Sequence, residues 1–107
     1  MVETFVLVEF DEVIVPEKRH VIEAALDAAL RAEGVGRITG GGTFLVPQES
    51  GIWTNIEVAA AELEGCVRVL RHSLQELDAP SGTWLHWWEP EECIADVWFD
   101  QPPSWGW

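Results

Sequence analysis

The stretch TFVLVEFDEVIVPEKRHVIEAALDAALRAEG, Thr4 to Gly34, holds the change of period on which the fold turns. Thr4 to Phe10 is β-branched and aromatic, nearly continuous in apolar character, and reads as a central strand. Val13, Ile14 and Val15 lead to Pro16, whose missing N–H suits the first residue of a helix. Glu17 adds a first-turn negative charge that the helix dipole favours. Ile22, Ala25, Leu26, Ala29 and Leu30 then recur at helical spacing and define one buried face. Gly34 closes the helix as a left-handed cap, with Val35 folding back on it.

The rest of the chain repeats this strand–helix unit in a second form. Arg37 to Val46 reads as a strand interrupted by Gly40-Gly41-Gly42, and Pro47 to Gly51 as a turn. Ile52 to Ala59 is a third strand, in which Ile52, Thr54, Ile56 and Val58 alternate with Trp53, Asn55 and Glu57. A second helix runs from about Ala61 to Leu77 on the stripe Leu63, Cys66, Val67, Leu70, Leu74 and Leu77. Asp78 to Gly82 stops it, and Thr83 to Trp88 is the fourth strand. The order βαββαβ with right-handed crossovers predicts an α+β, ferredoxin-like fold: an antiparallel sheet with two helices on one face. The first and third strands are then central and the second and fourth lie at the edges. There a glycine triplet breaks the regularity that edge-to-edge pairing needs. Residues 1–88 form the domain, and 89–107 an acidic, Trp-rich extension packed on or beside the sheet. Within it Ile94 to Phe99 can return as a fifth strand beside the fourth.

The chain has 107 residues, 19 carboxylates against 6 Lys and Arg, a net charge of −13, and 7 Trp with no Tyr. A length in this range is that of one domain. Hydrophobic content of 48% excludes a disordered acidic tail. No apolar run approaches the ~18 residues of a membrane span, and the start lacks the basic segment of a secretory signal. A cytoplasmic location is the corresponding expectation. So negative a chain is a poor direct ligand for nucleic acid or an anionic membrane, whereas a basic protein is attracted to it. Cys66 and Cys93 carry no metal or redox spacing and read as reduced thiols, with a disulfide between them as the alternative, Cys66 on a helical core stripe. With three scattered histidines they form no zinc set, so no metal and no cofactor is expected.

Catalytic signatures are missing as well. Gly40-Gly41-Gly42 leads into a strand and not into a helix, and no Lys follows, so it is no phosphate loop. There is no G-x-S-x-G elbow, and neither cysteine has a catalytic context. His20, His72 and His86 fit helix-surface or sheet-face positions better than general-base roles. The chain is therefore not expected to be an enzyme. If it were one, His86 with a nearby carboxylate would be its acid/base pair.

Composition shifts sharply after Arg71. No Lys or Arg follows it, while Glu76, Asp78, Glu89, Glu91, Glu92, Asp96 and Asp100 do, together with six of the seven tryptophans. One explanation is structural, with the Trp-rich tail and Trp53 covering the bare face of the sheet. The other is a protein-binding surface, in which tryptophans anchor and carboxylates steer a cationic partner. That surface would comprise Trp53, Trp84, His86, Trp87, Trp88, Glu89, Glu91, Glu92, Asp96, Trp98 and Asp100.

The run Gly36-Arg37-Ile38-Thr39-Gly40-Gly41-Gly42-Thr43, followed by Asn55-Ile56-Glu57-Val58 and the helix exit Leu77-Asp78-Ala79-Pro80-Ser81-Gly82-Thr83, resembles a group of small uncharacterised bacterial proteins. The likeness spans about residues 36–83 and omits the Trp-rich end. In kind, an acidic single domain without catalytic motifs also resembles the immunity proteins of bacterial toxin systems. That resemblance implies occlusion of a basic toxin or nuclease, with carboxylates imitating phosphates and tryptophans anchoring the contact. The competing expectation is a small-molecule-binding or regulatory ferredoxin-like domain, compatible with a homodimer, holding an apolar or cationic ligand on the sheet.

Overall fold

The computed structural model describes residues 4–10, 14–46, 51–88 and 91–98, with side chains left out at 42–46 and 51–53. The elements are β1 (Thr4–Phe10), α1 (Pro16–Glu33), β2 (Gly36–Val46), β3 (Gly51–Ala60), α2 (Leu63–Glu76), β4 (Thr83–Trp87) and β5 (Cys93–Asp96). They form an α+β fold whose single antiparallel sheet has the order β2-β3-β1-β4-β5.

Alternation along the strands sorts side chains onto two faces. Val6, Val8 and Phe10 of β1, Thr54, Ile56 and Val58 of β3, and Leu85 and Trp87 of β4 are fully buried. They share one core with Ile22, Leu26 and Leu30 of α1 and with Cys66, Val67, Leu70 and Leu74 of α2. Both helices therefore cover the same face of the sheet. Cys93, Ala95 and Val97 join that core, which makes β5 part of the domain's packing.

The helix ends follow from their sequences. Pro16 opens α1, and Gly34 closes it at φ 69°. The Gly34 and Val35 N–H groups donate to the Arg31 and Leu30 carbonyls, each at 3.1 Å, a Schellman motif. At the end of α2 the same pattern appears, with Asp78 and Ala79 donating to Gln75 and Leu74. There the left-handed position, φ 58°, is held by Asp78 instead of a glycine. At the start of α2 the Glu62 carboxylate accepts the Gly65 N–H at 2.7 Å.

The chain returns as a fifth strand beside the fourth, as expected: β5 pairs with β4 and takes the edge. Two expectations are corrected in detail. The fifth strand is Cys93–Asp96, shorter and earlier than Ile94 to Phe99, because the Asp96 carboxylate accepts the Trp98 N–H at 2.8 Å and turns the chain. The glycine triplet does not interrupt β2. Its register shift falls between Ile38 and Gly40, so Thr39 is the bulged residue, and its hydroxyl donates to the Glu57 carboxylate at 2.8 Å. Gly41 serves close approach instead, since a Cβ there would lie 2.7 Å from the Asn55 carbonyl oxygen and 2.9 Å from Glu23 Oε2. The edge itself is blunted by Asp27 of α1, whose Oδ1 accepts the Ile38 N–H at 2.9 Å.

Candidate functional site

The face of the sheet opposite the helices gathers the chemistry. Strand register arranges it in two cross-strand rows. Asn55, Glu9, Trp84 and Asp96 form one; Glu57, Leu7, His86 and Ile94 form the other. Phe5 and Trp88 extend it toward one end, and both are about half exposed, at 51% and 47%. Ile94 is exposed at 54%. Apolar side chains this exposed, bordered by Glu9, Glu57, Glu92 and Asp96, form a mixed apolar and acidic surface. Arg37, across from Ala59 in β2, brings a positive charge to the margin of this face.

His86 is its centre. Its Nδ1 lies 3.0 Å from Glu9 Oε1 and its Nε2 lies 2.9 Å from Glu92 Oε2. Glu9 is its diagonal neighbour on β1, within reach because Leu7 and Glu9 stand across from His86 and Trp84. Glu92 comes from the chain leading into β5. The imidazole also stacks on Trp88, with ring centroids 4.0 Å apart. Both ring nitrogens thus face carboxylates.

The proposed binding residues separate into three groups. Trp84, His86, Trp88, Glu92 and Asp96 come together on the open face, with Glu91 exposed beside them. Trp87 does not join them: strand parity turns it into the core, where it is fully buried. Trp98 sits at the end of the sheet, its indole N–H donating to the Ala79 carbonyl at 2.7 Å in the α2–β4 turn. Near it the Gln75 amide donates to the Val97 carbonyl at 2.7 Å, tying α2 to the end of β5. Glu89, Asp100 and the Trp53 side chain lie outside the described residues, as does the tail segment expected to cover the sheet.

Sequence reasoning missed Phe5, Leu7, Glu9 and Glu57. The signal for Glu9 was present: a carboxylate inside an apolar strand, in phase with Phe5 and Leu7 and out of phase with Val6, Val8 and Phe10.

A groove of about 430 Å³ runs between the helices on their outer side, lined by Ala29, Ala32, Val69 and Ser73 with Arg68 and His72 at its rim. Among the described residues no three His, Cys, Asp or Glu side chains are grouped to hold a metal ion. Cys66 and Cys93 are both free and buried. Burial, and then the charge of Glu62, push the Cys66 thiol up to about 12, so it is an inert core residue. No helix among the described residues is long and apolar enough to cross a membrane.

No protein-family profile, curated protein or solved structure matches the chain.

Proposed function

We propose that the open sheet face docks a basic protein, and that the chain is an immunity-type inhibitor of a cationic toxin or nuclease. The observation that carries this reading is the face itself: exposed Phe5, Trp88 and Ile94 set among Glu9, Glu57, Glu92 and Asp96. Aromatic anchors supply contact energy, and the carboxylates steer and orient a cation-bearing surface. The carboxylates would occupy the positions a nuclease reserves for phosphates. A second copy of the chain is disfavoured on this face, because at net charge −13 two such surfaces repel. The likeness in kind to toxin immunity proteins points the same way. We read the arrangement β2-β3-β1-β4 with both helices on one face as ferredoxin-like, with β5 added at the β4 edge.

The test is the association rate with a basic protein encoded in the adjacent reading frame. A rate that falls steeply from low to high salt, with faster dissociation for Trp88→Ala, supports the proposal. A rate indifferent to salt contradicts it.

The small-molecule reading has one observation in its favour. The helix-side groove, at about 430 Å³, is of ligand size. Saturable binding of a metabolite that quenches no sheet-face tryptophan would favour it over docking.

A further inference from the structure

We infer that binding of a basic partner to this face is coupled to loss of a proton from His86, the imidazole being a built-in cation that the partner's cation replaces. The partner rests on the docking reading above; the proton rests on geometry. His86 Nδ1 and Nε2 face the carboxylates of Glu9 and Glu92 at 3.0 and 2.9 Å. An ionised carboxylate only accepts hydrogen bonds, and a neutral imidazole carries a single N–H. Both contacts are hydrogen bonds together only when both ring nitrogens carry hydrogen. In that state the ring is a cation lying 4.0 Å from the Trp88 ring, the arrangement by which indoles hold cations.

The charged groups around the ring are almost all negative. Glu9 comes from β1 and Glu92 from the approach to β5, where Glu91 precedes it. Glu57 of β3 lies one strand beyond, across Leu7, and Asp96 of β5 lies one pair further along from Ile94, the residue opposite His86. Arg37 of β2 stands at the far margin, and the helices lie behind the sheet. An arriving guanidinium or ammonium finds two accessible features, the Glu92 carboxylate, 62% exposed, and the Trp88 indole. By satisfying Glu92 it removes the acceptor of the second imidazole N–H, and that proton passes to solvent. Affinity then rises with pH wherever the free chain holds that proton and the complex does not, by at most ~10-fold per pH unit for one proton.

A hexa-arginine peptide is a suitable probe. Calorimetry in two buffers of different ionisation enthalpy reads proton release. Titrations from pH ~5.5 to pH ~8 at fixed ionic strength read affinity. The expected result is proton release approaching one at the acid end and several-fold tighter binding at the alkaline end. His86→Gln should abolish both effects. Glu92→Gln, a change at an exposed side chain, should weaken both. Without any peptide, tryptophan emission should change over the same pH range, because a charged imidazole beside an indole quenches it. Trp88→Phe should remove that change. Peptide binding that is flat with pH, or equally pH-dependent in His86→Gln, overturns the coupling and leaves the docking reading in place. A peptide that fails to bind while the emission change persists overturns the docking reading, and the coupling with it.

Discussion

Trp87 and Trp88 are adjacent in sequence and opposite in role, so replacing each with alanine tests the division of the sheet into a core face and an open face. Trp87 is fully buried. A tryptophan buries roughly 200 Å², which at ~25 cal/mol/Å² is a gross ~5 kcal/mol. Truncation also leaves a cavity, and such substitutions cost about 3–5 kcal/mol. Trp88 is 47% exposed, so about half of that area is at stake. Its site opens to solvent, so no cavity forms, and the area figure is an upper bound. A cost of about 1–2 kcal/mol follows, part of it from the lost stacking on His86. Urea unfolding followed by circular dichroism separates the two: with a slope of ~1.5 kcal/mol/M, the midpoint falls by roughly 2–3 M for Trp87→Ala and by roughly 1 M for Trp88→Ala. Should Trp87→Ala not fold, Trp87→Leu keeps part of the volume and loses about 2–3 kcal/mol. Equal midpoint shifts for Trp87 and Trp88 variants, or a larger one at Trp88, would refute the assignment of faces.

Three further outcomes follow from local geometry. Asp27 is held below the usual carboxylate range, first by the Ile38 N–H and then by Arg31, so its contribution is present above the unfolded value of ~3.9 and lost as pH falls through the folded one. Asp27→Ala should therefore cost about 1 kcal/mol at neutral pH, discounted for partial exposure, and less in strong acid; urea melts at the two pH values check it. Asp78 holds a left-handed position at φ 58° that a glycine adopts without strain, so Asp78→Gly should stabilise by about 0.5–1 kcal/mol, read as a rise in melting temperature. The Cys66 thiol, pushed up to about 12, should resist iodoacetamide in the folded protein and react in urea, as mass spectrometry of its peptide will show.

The helices were legible because each carries its own boundary chemistry. Pro16 and Gly34 bracket a five-residue apolar stripe in α1, and the breakers from Asp78 to Gly82 end α2. Strand parity was legible where polar residues mark it, as in β3. In β1 the near-continuous apolar run hid the fact that Phe5, Leu7 and Glu9 face outward. Parity also separates Trp84, His86 and Trp88 from Trp87, a signal contained in TWLHWW but masked by treating the tryptophans as one group. The contact of Glu9 with His86 joins residues 77 positions apart. It depends on the β1–β4 register, which alternation alone does not specify. The bulge at Thr39 was misplaced for a related reason: glycines signal permissiveness, whereas the partner strand decides which residue is extra.

The claim that the open face docks a cation-bearing protein is tested most directly by titrating the ¹⁵N-labelled chain with hexa-arginine and following its amide and indole resonances. The account predicts shifts concentrated at Leu7, Glu9, Trp84, His86, Trp88 and Ile94, including the Trp88 indole N–H, and their loss at high salt. Shifts spread evenly over the acidic surface, or confined to the helical side around Ala29 and Ser73, would contradict it.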